Sequence, residues 1–189
     1  MTKIGKLLMV TVVMFTLLSM NAGAAWGQKA TQKEVPAEYG YVVKPGQQVP
    51  DFEMTLTDGK KVKMSELKGR VVMLQFTASW CGVCRKEMPH IEKDIWAKYR
   101  NNPEFALFGI DLDEPLDKVI KFGKEVGITY PLALDPEGKI FYTFAEKGAG
   151  VTRNVIVDKT GKIIFLTRLF KEEEFNQMRK VIDLAMKKD

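Results

Sequence analysis

The spacing of hydrophobic and polar residues changes several times along this chain from residue 49 onwards. Short β-prone pieces lie on either side of Asp58-Gly59, a strong turn pair, and together they predict a hairpin. The segments 70–77 (RVVMLQFT) and 105–113 (FALFGIDLD) are near-continuous apolar runs of strand length. Such runs are typical of strands that are buried on both faces of a sheet.

Other segments of the chain have the spacing of amphipathic helices or of a second strand pair. Helices are predicted after the first buried strand, where apolar residues recur at Met88, Ile91, Ile95 and Trp96, and over 115–127 and 171–188. The segment 153–167 predicts two strands joined by a turn at Thr160-Gly161. The resulting order is hairpin, β, α, β, α, β, β, α. It predicts an α/β fold with a central mixed sheet, helices on both faces and an N-terminal hairpin.

The N-terminal residues 1–25 have the pattern of a secretory signal peptide. Two lysines precede an apolar run over 7–20, and small residues follow at 22–25, so cleavage is expected near Ala24 or Ala25. An uncleaved membrane anchor is the alternative, because roughly 20 uncharged residues can span a bilayer. Either segment predicts a protein that works outside the cytoplasm, in the periplasm or another compartment where disulfides form.

The polar segment 26–48 contains two prolines and no periodicity, and it predicts a linker or an arm that lies on the domain formed by 49–189. The formal net charge is +5, but two of the positive charges belong to the predicted signal segment. The remaining charges are mixed in sign along the chain, as on a solvated surface. We therefore expect no nucleic-acid partner. We also expect the protein to be a monomer.

The two cysteines of the chain, Cys81 and Cys84, lie where a predicted buried strand ends and a helix begins. A zinc site needs about four ligands, and with His90 as the only histidine we expect no metal and no cofactor. A structural disulfide gains stability by closing a long loop, and two intervening residues close almost none. A thiol at a helix N-terminus, in contrast, has a lowered pKa. This arrangement predicts a redox pair in which Cys81 attacks and Cys84 resolves the mixed disulfide.

The motif WCGVC, placed after a buried strand within a βαβ pattern, resembles the thioredoxin superfamily. The following CRKEMP, the preceding segment 50–76 and the segment 126–141 resemble its TlpA/ResA-like branch of extracytoplasmic thiol-disulfide oxidoreductases. The resemblance covers about Val49 to Met186. It implies a thioredoxin-like three-layer sandwich that acts on protein disulfides and thiols. It also implies electrons from a membrane donor of the DsbD/CcdA kind and, for some members, a role in cytochrome c maturation.

Several residues around the cysteines match this branch, among them Trp80 as a substrate contact. Glu87 matches the acid that tunes the thiol pKa values in ResA-like proteins. It lies three positions after Cys84, so the two can share a helix face and Glu87 can accept the proton of Cys84. An exposed helix acid is the alternative for Glu87. Gln75 stands where cytoplasmic thioredoxins have a buried aspartate, as it does in ResA-like proteins.

One position departs from the superfamily, which places a cis-proline opposite the cysteines and just before a strand. Here the segment 151–158 (VTRNVIVD) has Thr152 at that position, and no proline follows Pro136. A cis bond before a non-proline residue costs about 2.5–4 kcal/mol, so the Val151–Thr152 peptide is either trans or held cis by its surroundings. In the superfamily, the loop backbone at the position of Val151 pairs with an extended substrate. We therefore expect Thr152 to alter the binding and release of substrate.

The function predicted from these residues is thiol-disulfide exchange, mainly in the reducing direction. The dipeptide Gly82-Val83 between the cysteines supplies neither a histidine nor a charge that would stabilise the Cys81 thiolate. Two alternatives stay open. One is a binding or adaptor module with an inert disulfide. The other is a peroxiredoxin-like peroxidase, although such an enzyme needs a threonine three residues before its reactive cysteine, and Thr77 lies four before Cys81.

Overall fold

The computed structural model describes residue 32 and residues 34–187, so the predicted signal segment 1–25 lies outside the described residues. The chain forms a seven-stranded sheet in the order β2-β1-β5-β4-β3-β6-β7. The strands are β1 Glu53–Leu56, β2 Lys61–Lys63, β3 Val71–Thr77, β4 Phe105–Leu112, β5 Leu132–Asp135, β6 Arg153–Val157 and β7 Ile163–Arg168. Strands β3, β4 and β5 are parallel to one another, and the other pairs are antiparallel. The mixed sheet predicted from the sequence is confirmed.

The centre of the sheet is formed by the apolar segments that the sequence marks as buried strands. All seven residues of β3 are buried, as are all five of β6. The register of β3 and β4 begins with Val71 opposite Phe105. Strand β5 was not predicted, because its four residues lie between Pro131 and Pro136, and proline flanks are typical of loops.

The α-helices are α1 Gly82–Ile91, α2 Ala97–Tyr99, α3 Leu116–Val126 and α4 Glu172–Met186, and a π-helical segment Glu92–Trp96 joins the first two. Pro89 lies inside α1, which continues to Ile91 before it widens into the π-helical segment. A proline removes one helical hydrogen bond, and such wide turns are a recognised way to accommodate the change. Among these helices none has the length and apolar character that a membrane span requires.

The two faces of the sheet are covered by different structures. Helix α1 packs against the face that presents Thr77, whose hydroxyl lies 3.3 Å from the sulfur of Met88. The opposite face presents Phe76, whose ring contacts Phe141 and Phe144 in the segment that follows β5. That second layer contains short 3₁₀ turns, such as Phe141–Thr143, in place of long α-helices. The thioredoxin-like sandwich is thus present, with an uneven distribution of helix between its outer layers.

Part of the segment before β1 lies on the sheet. The Tyr41 hydroxyl lies 2.8 Å from the carbonyl oxygen of Thr167 and 3.2 Å from that of Asn154. The guanidinium of Arg153, a fully buried residue, stacks 4.5 Å from the centre of the Tyr41 ring. The backbone N–H of Gln32 donates to the carbonyl of Ile164 on the outer strand β7. These contacts cover polar backbone at the edge of the sheet, where unpaired groups favour association with other chains.

Candidate active site

The two cysteines form a disulfide at the N-terminus of α1. Cys81 is the N-cap residue, and its sulfur accepts a hydrogen bond of 3.1 Å from the backbone N–H of Cys84. The first backbone N–H groups of a helix have no partner inside the helix, and together with the helix dipole they favour negative charge. Once the disulfide is reduced, the Cys81 sulfur is therefore placed where a thiolate is stabilised.

The two sulfurs differ in their access to solvent. Cys84 is fully buried, while Cys81 keeps about 7% of its surface exposed. Trp80, directly before Cys81, is 65% exposed, an unusual state for so large an apolar side chain. The site therefore combines one reachable sulfur, one buried sulfur and an exposed aromatic ring beside them.

Thr152 lies directly against the disulfide, just before β6. Its Oγ1 is 3.1 Å from the Cys81 sulfur and 3.3 Å from the Cys84 sulfur. The described residues contain no cis peptide bond, so the Val151–Thr152 peptide is trans. Both residues are buried, and in the described part of the chain no hydrogen bond engages the backbone N–H or C=O of Val151.

Glu87 is buried, with 1% of its surface exposed, so the alternative of an exposed helix acid is wrong. Its Oε1 accepts a hydrogen bond of 2.7 Å from the side-chain amide of Asn154 on β6. The same amide also donates to the Thr167 hydroxyl on β7. Burial raises the pKa of Glu87 to about 7, although the hydrogen bond from Asn154 opposes the rise.

Three polar atoms around this carboxyl are buried without a hydrogen-bond partner among the described residues. They are Oε2 of Glu87, Oδ1 of Asn154 and the side-chain nitrogen of Gln75. The Gln75 nitrogen is a donor, and it favours the ionised carboxylate and opposes the rise of the Glu87 pKa. A protonated Glu87 would itself carry an O–H donor, so the surroundings accept either form of the carboxyl. Gln75 lies on the neighbouring strand β3, where its Oε1 accepts a bond of 2.7 Å from the Tyr130 hydroxyl.

A second acid positions the loop that leads into Cys81. Glu114 follows the end of β4, and its carboxylate accepts bonds from the backbone N–H and the hydroxyl of Ser79. Burial opposes ionisation of Glu114, but bonds from Lys118 and Ser79 outweigh it and lower its pKa. Asp111, at the end of β4, has its pKa raised to about 8 by burial and by the charge of Glu114. Ser79 is thereby held in place two residues before Cys81.

The structure brings together the residues that the sequence singled out. Cys81, Cys84 and Thr152 are in mutual contact, while Glu87 follows on the buried side of the same helix and Trp80 on its exposed side. Sequence reasoning missed Asn154 and Glu114. The available signals were a polar residue inside the buried run RNVIV, and an acid following β4. The carboxyl ends of parallel strands meet at the same edge of a sheet.

Within the residues that the structure describes, no three His, Cys, Asp or Glu side chains are grouped so that they could hold a metal ion. The single histidine, His90, is exposed and stacks on Phe170, with ring centres 4.9 Å apart.

Comparison with known proteins agrees with this geometry. The Redoxin family model matches residues 44–182. The curated thiol-disulfide oxidoreductase ResA of Bacillus cereus is 30% identical over 157 residues, which are 83% of this chain and 85% of that protein. ResA of Bacillus thuringiensis is 33% identical over 120 residues, 63% of this chain and 66% of that protein.

Solved structures give the same assignment of fold. A solution structure from Bacteroides thetaiotaomicron, described as a candidate protein disulfide isomerase, is 60% identical with a TM-score of 0.77, covering 79% of this chain and 94% of that one. A crystal structure of a candidate DsbE-type interchange protein from Chlorobium tepidum is 29% identical, with a TM-score of 0.66 and coverage of 76% and 99%. The chain therefore belongs to the Redoxin family, and it is a thioredoxin-fold thiol-disulfide oxidoreductase.

Proposed function

We propose that this protein works outside the cytoplasm as a reductant of protein disulfides, with Cys81 as the attacking residue and Cys84 as the resolving residue. The observation that carries the proposal is the position of Cys81 at the N-cap of α1, where its sulfur accepts the N–H of Cys84 and keeps access to solvent. The dipeptide Gly82-Val83 adds no further positive charge to this environment. Modest stabilisation of the thiolate favours donation of electrons.

The exchange has two steps that balance in atoms and electrons. The Cys81 thiolate attacks one sulfur of a substrate disulfide, so that a Cys81–substrate bond forms and the other substrate sulfur leaves as a thiolate. The Cys84 sulfur then attacks Cys81, the internal disulfide forms, and the second substrate sulfur leaves. Two electrons pass to the substrate, and the protons of the two cysteines end on its two thiols.

Glu87 is proposed as the group that receives the proton of Cys84 before the second step. Cys84 and Glu87 are three positions apart on the buried side of α1. With a pKa of about 7, the Glu87 carboxyl is close to half ionised near neutral pH, the state in which a group exchanges protons most effectively. Asn154 holds the carboxyl in place through the 2.7 Å bond to Oε1.

The substrate is proposed to bind across Trp80 and the loop before β6. The exposed ring of Trp80 offers apolar contact beside Cys81. The backbone of Val151, which has no hydrogen bond in the described residues, is available to pair with an extended substrate chain. This mode of binding selects for an extended or locally unfolded segment around the target disulfide.

The proposed location and electron supply follow from the N-terminal sequence and the redox chemistry. A signal or anchor over 1–25 places the domain 49–189 in a compartment where disulfides form, with 26–48 as the arm between them. Each turnover oxidises the cysteine pair, so a donor must reduce it again. A membrane reductase of the DsbD/CcdA kind fits this need, with the protein acting as a monomer and cytochrome c maturation as one possible pathway.

Trapping of mixed disulfides tests the proposal. The variant Cys84→Ser keeps the attacking sulfur and loses the resolving one, so a covalent Cys81–substrate species accumulates with a disulfide-bonded protein such as insulin. The measurement is non-reducing electrophoresis followed by mass spectrometry of the cross-linked peptides.

The matched control is the double variant Cys81→Ser, Cys84→Ser, which gives no covalent species. Failure of Cys84→Ser to form a mixed disulfide in which Cys81 is the linked residue would favour the binding module with an inert disulfide. If the wild-type protein instead consumed hydrogen peroxide at the same rate at which it oxidised an added thiol donor, the peroxidase alternative would be favoured.

A further inference from the structure

We propose that Thr152 is a catalytic residue, whose hydroxyl donates a hydrogen bond to the Cys81 thiolate and accepts one from the Cys84 thiol in the reduced protein. The inference rests on the redox role proposed above for Cys81. It assigns a chemical task to the position at which the superfamily has a proline, a residue without a hydroxyl.

The geometry of the oxidised site fixes the direction of the hydrogen bond. Oγ1 of Thr152 lies 3.1 Å from the Cys81 sulfur and 3.3 Å from the Cys84 sulfur. In the disulfide neither sulfur carries a hydrogen, so the only donor of the three atoms is the hydroxyl. A hydroxyl also has two lone pairs, and it can therefore accept a bond as soon as one sulfur is protonated.

The Thr152 hydroxyl is held in place and shielded from water. Thr152 is 2% exposed, and its carbonyl accepts bonds from the backbone N–H of Leu169 and from the guanidinium of Arg168. Two positions further along, on β6, is Asn154, which bonds to Glu87. The chain that enters β6 thus presents Thr152 to the sulfurs and Asn154 to the buried carboxyl.

Reduction makes the bond to Cys81 stronger. Hydrogen bonds to a charged partner are roughly twice as strong as those between neutral groups. The hydroxyl therefore stabilises the reduced state with a Cys81 thiolate more than it stabilises the disulfide. The expected consequences are a lower Cys81 pKa and a less negative reduction potential than an apolar side chain at this position would allow.

The charged groups around this site stay in place when the hydroxyl is removed. They are Glu87 on α1, Arg168 on β7, which binds the Thr152 backbone, and two groups that hold Ser79 in the loop before Cys81, namely Glu114 and the Arg85 guanidinium. None of these contacts uses the Thr152 side chain. A change caused by Thr152→Val can therefore be assigned to the lost hydroxyl.

The test compares Thr152→Val, which has a similar shape but no hydroxyl, with Thr152→Ser, which keeps the hydroxyl. The Cys81 pKa is measured on the reduced proteins from the pH dependence of the alkylation rate, with peptide mapping to identify the modified cysteine. We expect the pKa to rise by about one unit in Thr152→Val, a tenfold loss of acidity. Thr152→Ser should stay within about 0.3 units of the wild-type protein. At a pH above both pKa values, the reduction potential of Thr152→Val should fall by about 30 mV.

An unchanged Cys81 pKa in Thr152→Val would overturn the proposal, and so would equal shifts in the valine and serine variants. Alkylation needs no substrate disulfide, so this result is independent of whether the protein reduces protein disulfides. If Thr152→Val does not fold, the wild-type protein decides the matter by NMR. The ¹³Cβ chemical shift of Thr152 should then change with pH with the same pKa as Cys81. A chemical shift that stays constant through the titration of Cys81 would also overturn the proposal.

Discussion

Replacing Cys81 by serine is expected to reduce the rate of catalysed insulin reduction by at least about a hundredfold, to the level of the small-molecule thiol alone. Cys81 is the sulfur with access to solvent, and Cys84 is fully buried beneath it. A serine hydroxyl is not ionised near neutral pH and cannot replace the thiolate. The measurement is the turbidity that appears as the insulin chains separate, with dithiothreitol as the electron source.

The matched comparison is Cys84→Ser, which keeps the reachable thiolate. Each molecule of this variant should form one mixed disulfide with a substrate and then stall, because the resolving sulfur is absent. Both variants should have far-UV circular dichroism spectra like that of the reduced wild-type protein. Turnover by Cys81→Ser near the wild-type rate would show that Cys84 attacks substrates, contrary to the roles proposed here.

Replacing Glu87 by glutamine is expected to stabilise the oxidised protein at pH 8 by roughly 4 kcal/mol. The folded protein holds the Glu87 pKa at about 7, while an unfolded glutamate titrates near 4.3. Below pH 4 the carboxyl is neutral in the folded and in the unfolded protein, so it does not make the free energy of unfolding depend on pH. Between the two pKa values only the unfolded state ionises, so the free energy of unfolding falls as pH rises, and above pH 7 the loss is constant.

The geometry around Glu87 suits the amide as well as the neutral acid. In Glu87→Gln the carbonyl can still accept from Asn154, and the new N–H groups can donate to the Asn154 oxygen that lacks a partner. Urea denaturation at pH 4 and at pH 8 measures the effect. The control, Glu173→Gln, removes an exposed carboxylate on α4 and measures the effect of the same change of charge at the surface. A Glu87→Gln protein with the same pH dependence as wild type would contradict a raised pKa of Glu87 in the folded protein.

Much of the fold was readable from the sequence because its signals are local. The near-continuous apolar run of β3 and the turn pair Asp58-Gly59 act within a few residues, and the structure has the predicted strand and hairpin. Strand β5 was missed because it is short and lies between prolines, while its pairing with β4 depends on contacts distant in sequence.

The surroundings of the cysteines were readable only in part, for the same reason. The spacing of Cys84 and Glu87 indicates a shared helix face, and the motif identified Thr152 as a departure. The bond between Glu87 and Asn154 joins residues 67 positions apart, and the one between Ser79 and Glu114 joins residues 35 apart. The spacing of hydrophobic and polar residues gives no information on contacts between such distant positions. The burial that raises the Glu87 pKa therefore could not be deduced from the sequence.

The reduction potential of the Cys81–Cys84 pair tests most directly the claim that this protein is a reductant. It is measured by equilibrating the protein with mixtures of reduced and oxidised glutathione and quantifying the free thiols. We expect a value more negative than roughly −180 mV, on the reducing side of protein disulfide isomerase. A value near −120 mV, that of a strong disulfide-forming oxidant, would contradict it.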